Sequence, residues 1–242
     1  MRVLIDPGHA PGSGNRGPNG YREYAGMWRL SVFLQEILQS KSMHVQLTRL
    51  ERQDPPLAER GGMARGFDLF ISQHSNAFNG TVRGSECFFS VQQSQNRELA
   101  ARLSAETARL FGHNDRGAKT RAGADGRDFF GVMRAAVAAG CPRVLLMESG
   151  FHDNPLDEAF LLQDANLRRL AQAQADIICD VLSIKHTQRL QAMLQTMCSM
   201  SGLCPGSIES QARSVCVQTH SRCSRRCTEA STSGATLRRR KP

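Results

Sequence analysis

Four residues of this chain have the types and positions to carry out metal-assisted hydrolysis: His9, Glu23, His74 and Glu148. Three of them stand at the ends of short apolar runs. Val3-Leu4-Ile5 leads through Asp6-Pro7-Gly8 into His9, Leu69-Phe70-Ile71 leads to His74, and Val144-Leu145-Leu146-Met147 leads into Glu148. Neutral imidazole suits zinc, and catalytic zinc sites commonly use three protein ligands and keep one position open for water. One histidine at a strand end is most simply a hydrogen-bonded or exposed side chain, but two at the ends of separate apolar strands read as a ligand pair. The third ligand is expected from the segment after His9, where residues 10–22 read as a polar loop with no apolar anchor. Glu23 is the only carboxylate between Asp6 and Glu36, and it stands where a helix begins. Its alternative use is to complement the positive end of that helix. Glu148 reads as the end of a buried strand before a Ser149-Gly150-Phe151 turn. A carboxylate there can take a proton from water beside a metal and return it to a leaving amine. Asp6 is a turn former or a partner that orients a ligand, with the structural use favoured.

These residues can meet only if the apolar runs are parallel strands, because parallel strands in an open α/β sheet bring their carboxyl ends to one crevice. The rest of residues 1–184 fits that requirement. Strands are expected at 2–5, 44–48, 69–73, 86–91 and 143–147, and a helix at 56–64 joins the second and third. Helical spacing at Met27, Leu30, Leu34 and Leu38, at Leu99, Leu103 and Leu110, and at Leu167, Leu170, Ile177 and Val181 marks helix faces that pack on the core. The fold class is therefore α/β, with a mostly parallel central sheet covered on both faces. Residues 112–128 are polar and rich in Gly, Arg and Asp, and read as a surface loop.

Composition divides the chain near residue 185. The net charge is +9, but residues 1–185 carry 22 Lys+Arg against 20 Asp+Glu, and residues 186–242 carry 9 against 2. A nucleic-acid-binding protein would place its basic surface on a folded face, so nucleic acid is not expected as a partner. No stretch has the roughly 20 apolar residues of a membrane helix, and membrane insertion is not expected. Met1-Arg2 leads straight into a strand-like run without the features of a signal peptide. The expected localisation is synthesis in the cytoplasm, followed by action outside it after release. Cys87, Cys141 and Cys179 lie scattered in the body as free thiols, whereas Cys198, Cys204, Cys216, Cys223 and Cys227 crowd into the tail.

A wider set of motifs occurs in order: Ile5-Asp6-Pro7-Gly8-His9, Glu23, Leu47-Thr48-Arg49, Leu57-x-x-Arg60, Phe70 to Ala77, Arg116-Gly117-Ala118-Lys119 and Met147-Glu148-Ser149-Gly150-Phe151. Together they resemble the zinc-dependent N-acetylmuramoyl-L-alanine amidases of the amidase 3 type over about residues 2–184. The resemblance implies a three-layer α/β/α catalytic domain. It implies one Zn2+ ion held by His9, Glu23 and His74, with Glu148 as the catalytic glutamate. The implied reaction is hydrolysis of the amide between the lactyl group of N-acetylmuramic acid and L-alanine in peptidoglycan. Asn76, Arg116, Lys119 and Ser149 are candidate substrate contacts, and Arg121 and Arg127 are further candidates for binding stem-peptide carboxylates. Gln73 replaces the isoleucine usual before the second histidine, and Ala64-Arg65 replaces a usual Ala-Asn. The short segment 79–85 leaves no room for the inhibitory helix of some periplasmic relatives, as in phage endolysins. Release by holin-type lysis or by mother-cell lysis both fit.

The competing readings are a zinc peptidase that cuts within the stem peptide and a noncatalytic wall-binding protein. The latter is expected to have lost a ligand or Glu148, and all four are present. Gln188 to Leu194 resembles the opening helix of a helical peptidoglycan-binding repeat. Residues 198–242 then read as mostly disordered, since their composition offers too little apolar surface for a core. Their Arg, Cys and Ser bias fits a shifted reading frame. Cys216, His220, Cys223 and Cys227 form a weak second zinc candidate with irregular spacing. The sequence leaves the oligomeric state open.

Overall fold

The computed structural model describes residues 1–201, with side chains to residue 182. Six strands form one sheet in the order β2-β1-β3-β6-β4-β5: β1 (Arg2–Pro7), β2 (His44–Leu47), β3 (Leu69–Asn76), β4 (Ser85–Phe89), β5 (Asp115–Lys119) and β6 (Val144–Phe151). The helices are α1 (Glu23–Ser40), α2 (Leu57–Gly62), α3 (Arg97–Phe111), α4 (Gly131–Ala138), α5 (Pro155–Leu161) and α6 (Asp164–Ser201). Strands β2, β1, β3 and β6 run parallel, while β4 pairs antiparallel with β6 and parallel with β5. The sheet is therefore mostly parallel, as expected, but its last two strands are reversed.

Strand alternation divides the core into two layers. Val3, Ile5, Leu69, Ile71, Leu145 and Met147 pack on one face with Met27, Leu30, Leu34 and Leu38 of α1, Leu99 and Leu103 of α3, and Leu167 and Leu170 of α6. Leu4, Phe70, Val144 and Leu146 point to the other face and meet Val132, Met133 and Ala136 of α4. Successive side chains on a strand point to opposite faces, so strands with both faces covered read as continuous apolar runs. At the N-terminus of α5, the Asn154 side chain accepts a hydrogen bond from Leu156 N, with Pro155 at the first helical position.

Two expectations need correction. Residues 112–128 were expected to form a surface loop, yet they contain β5, whose Gly117 and Lys119 pair with Glu86 and Phe88. Ser149-Gly150-Phe151 was expected to be a turn after a strand ending at Glu148, yet β6 continues through it to Phe151, with a register shift against β3 between His74 and Asn76. Residues 1–184 form one compact unit, whose boundary falls within α6. The backbone from Thr187 to Met197, and on to Ser201, continues α6. The expectations for the rest of the tail, including the cysteine-rich zinc candidate, lie outside the described residues.

Candidate metal and catalytic site

Side chains on the α2/α4 face converge past the carboxyl ends of β1, β3 and β6. Alternation places Asp6, Ser72, His74 and Glu148 on the same face as Leu4, Phe70 and Leu146. Asp6 is fully buried and accepts hydrogen bonds from Thr48 Oγ1 at 2.6 Å, Arg60 Nε at 2.7 Å and Ser72 Oγ at 2.6 Å. It therefore ties three elements together, the structural use favoured from the sequence. Arg49 and Arg60 both donate to Pro7 O, and Arg49 also donates to Gly8 O and Tyr24 O. These bonds fix the turn that carries His9.

That turn is tight. A Cβ on Gly8 would stand 2.5 Å from Gln73 O and 2.6 Å from His74 Cε1, so only glycine lets β1 end against His74. His9 has φ 54°, a left-handed conformation rare for a residue with a side chain. Strain of this kind is held by the surrounding structure and gathers at functional sites.

His9, Glu23 and His74 offer ligand atoms that all lie within 4.8 Å of one another. Glu23 Oε2 is 3.3 Å from His9 Nε2, and Glu23 Oε1 is 3.3 Å from His74 Nδ1. Glu23 is 1% exposed, and Oε1 also accepts from Ser75 N at 2.9 Å. Burial alone would raise the Glu23 carboxyl, but its hydrogen bond with His74 and the charges of both imidazoles hold it below the usual carboxylate range. Burial would lower His74, but its hydrogen bond with Glu23 and the charges of Glu148 and Glu23 outweigh it and leave that imidazole raised. His9 is lowered, chiefly by burial. The Asn15 amide nitrogen lies 2.9 Å from Glu23 Oε2 and 2.8 Å from His9 Nε2, where its hydrogens meet the lone pairs that a cation would use.

Glu148 lies at the same cavity but in different surroundings. Its Oε2 is buried without a hydrogen-bond partner. Burial, with further repulsion from Glu23 and Glu86, pushes its carboxyl up to about 8 against the attraction of His74. The cavity measures about 290 Å³. His9, His74, Glu148 and Arg60 supply its polar lining, and Leu57, Phe130, Val132 and Leu146 its apolar lining.

The other predicted site residues separate into groups. Asn76, Arg116 and Lys119 converge on Glu86, the register partner of Glu148. Asn76 Nδ2 donates to Glu86 Oε1 at 3.0 Å, Arg116 Nε donates to Oε2 at 2.8 Å, and Lys119 Nζ also donates to Oε2. Although burial raises it, the hydrogen bonds and charges of Lys119 and Arg116 hold the Glu86 carboxyl below its usual range. Ser149 is fully buried, its Oγ has no partner, and it is absent from the cavity lining, unlike the substrate contact expected of it. Arg121 stacks over Phe129 at 3.6 Å, and Arg127 pairs with Asp125. Gln73 points to the opposite face and donates to Gln174 Oε1 of α6 at 2.7 Å, so the polar replacement has a buried polar partner.

Sequence reasoning missed the anchors of the 10–22 loop. Tyr21 is 1% exposed, and its hydroxyl lies 3.3 Å from Ser75 Oγ, which in turn lies 3.0 Å from His152 Nδ1. The buried Glu158 of α5 accepts from Asn19 N and Tyr21 N. Tyr21 itself was the available signal, as the one large ring in a polar segment.

Comparisons with known proteins show the family and the fold. Residues 3–180 match the family model described as N-acetylmuramoyl-L-alanine amidase. A sporulation-specific N-acetylmuramoyl-L-alanine amidase of Bacillus subtilis (strain 168) is 26% identical over 191 residues, covering 77% of this chain and 70% of that protein. An endolysin of Bacillus phage SPP1 is 29% identical over 191 residues, and the match covers 76% of this chain and 66% of the endolysin. Among solved structures, Cwp6 from Clostridium difficile superposes with a TM-score of 0.67 at 27% identity, over 74% of this chain but only 29% of Cwp6. The catalytic domain of CwlV, an N-acetylmuramoyl-L-alanine amidase from Bacillus (Paenibacillus) polymyxa var. colistinus, gives a TM-score of 0.64 at 27% identity, covering 75% of this chain and 98% of that domain.

Proposed function

This chain belongs to the N-acetylmuramoyl-L-alanine amidase family, and from that premise we propose that it hydrolyses peptidoglycan at the amide joining N-acetylmuramic acid to the L-alanine of the stem peptide, using one zinc ion. The observation that carries the metal reading is the donor set itself. The ligand atoms of two imidazoles and one carboxylate lie within 4.8 Å of one another, and both imidazoles line the cavity, a three-ligand set of the kind catalytic zinc uses. His9, Glu23 and His74 would hold the ion. When bound, zinc supplies Lewis acidity that makes water nucleophilic near neutral pH and polarises the amide carbonyl.

The chain's own groups do the rest. Glu23, depressed and fully hydrogen-bonded, stays ionised and orients both imidazoles. Glu148 has a carboxyl that holds a proton readily and one oxygen without a hydrogen-bond partner among the described residues. In its ionised form it accepts the proton of the attacking water, and the acid so formed delivers that proton to the L-alanine nitrogen, which leaves poorly as an anion. Glu86 stands beside it in register; Lys119 and Arg116 hold Glu86 ionised, and Asn76 helps to hold it in place. The apolar wall of Leu57, Phe130, Val132 and Leu146 limits water at the reacting groups.

Mass spectrometry of the soluble products from purified peptidoglycan tests the reading. The zinc-loaded chain should release stem peptides with a new L-alanine amino terminus, and a chelator should abolish the release. Cuts inside the stem peptide would replace the amidase with a peptidase.

A further inference from the structure

Two cavities meet at the N-terminus of α4. The catalytic one shares Leu57 and Gly131 with a second, of about 440 Å³, whose walls are Ala58, Ala135 and Ala138 together with Arg127 and Arg134. Gly131 forms part of the neck. A Cβ there would stand 3.3 Å from Leu57 Cδ1 and 3.6 Å from Arg134 Nη2, which places that guanidinium beside the passage. Arg134 is held in position, since its Nη1 donates to Asp128 O at 2.7 Å and to Phe129 O at 2.9 Å.

We propose that this second groove receives the acidic stem peptide of the substrate, with Arg127 and Arg134 meeting a peptide carboxylate. The inference rests on the amidase reading and deepens it. The scissile amide joins a neutral sugar acyl group to a peptide that carries carboxylates, so the leaving side of the substrate is anionic and needs cations beyond the reacting groups. Of the basic residues considered from the sequence, Arg116 and Lys119 are committed to Glu86, and Arg121 is stacked on Phe129. Arg127 pairs only with the exposed Asp125 two residues away. An exposed ion pair is weak, so a ligand carboxylate can readily take the place of Asp125. Asp128 is buried and turned inward to Ser90 Oγ and Val91 N, which leaves Asp125 as the acidic group facing Arg127. The small Ala58, Ala135 and Ala138 leave room for a peptide backbone.

The test is steady-state kinetics of the zinc-loaded full chain on two soluble muropeptides that differ only in whether the stem-peptide carboxylates are free or amidated. Arg127→Gln, Arg134→Gln and the double variant are compared with the unaltered chain. The double variant should raise KM for the free-acid peptide by about tenfold or more, the scale of a lost charge-assisted hydrogen bond. Its kcat, and both constants for the amidated peptide, should stay within about twofold. Arg127 is exposed, so its single variant preserves the fold and should move KM the same way, and Arg134→Lys should restore part of the loss. Equal KM changes on both peptides, or none on either, would overturn the proposal. If the unaltered chain cleaves the lactyl amide of neither peptide, the amidase reading itself falls, and the groove assignment falls with it.

Discussion

Glu23 and Glu148 are acids of the same kind at the rim of the same sheet, and their surroundings drive them in opposite directions. Glu23 opens α1 and is enclosed by donors: Ser75 N, the Asn15 amide and two imidazoles. Glu148 stands on β6 among Leu146, the Glu86 carboxylate and one imidazole, with an oxygen that no group among the described residues satisfies. Donors around a carboxylate favour the charged form, whereas burial and like charge favour the neutral form. Two acids driven apart in this way can divide the work, one as a permanent anion and the other as a proton carrier. The same division runs through the sheet. Strands β1 and β3 bring in the two histidines while α1 supplies Glu23, and the reversed pair β4-β5 brings Glu86, Arg116 and Lys119 to the side of Glu148.

The comparison sharpens if the donors around Glu23 are thinned. Asn15→Ala should lower the stability of the metal-free protein by about 1 to 2 kcal/mol, because a buried carboxylate oxygen loses a donor. Saturating zinc, which takes over the same lone pairs, should shrink the difference to about 0.5 kcal/mol or less. Thermal unfolding with and without zinc reads both values, and an equal loss in the two states would contradict this role for Asn15.

A smaller effect comes from pH. The folded-state pKa of Glu148, near 8, lies above its ordinary value of 4.5, so the metal-free fold binds that proton more tightly than the unfolded chain does. Its contribution to stability is fully present below about pH 4.5 and is lost as the pH rises toward 8. In Glu148→Gln that slope should flatten, by about 1 kcal/mol or more across the window. Denaturant titrations of both metal-free proteins at pH 5 and pH 8 check it, and identical slopes would mean that Glu148 is not held neutral by its surroundings.

The ligand set was legible because each member ends or begins a strongly patterned element. Val3 to Ile5 and Leu69 to Ile71 are buried on both faces and leave no ambiguity about where His9 and His74 emerge. β5 was not legible because an edge strand with exposed sides needs no apolar period, and Asp115-Arg116-Gly117 has none. The continuation of β6 through Ser149-Gly150 was hidden by a glycine that usually marks a turn, here at φ 83° within the strand. Glu86 was missed because its role depends on β4 running antiparallel to β6, which brings the start of that strand to the site, and no local pattern encodes the direction. Tyr21 and Glu158 were missed for a related reason, since a contact across more than a hundred residues leaves no trace in spacing.

Zinc content and peptidoglycan turnover, measured side by side for Glu148→Gln and Glu23→Gln, test the division of labour most directly. Glu148→Gln should keep zinc at the unaltered level and lose about 10²- to 10⁴-fold in turnover, while Glu23→Gln should lose zinc and turnover together. A Glu148→Gln protein that fails to bind zinc, or that binds it and still turns over, would contradict the account.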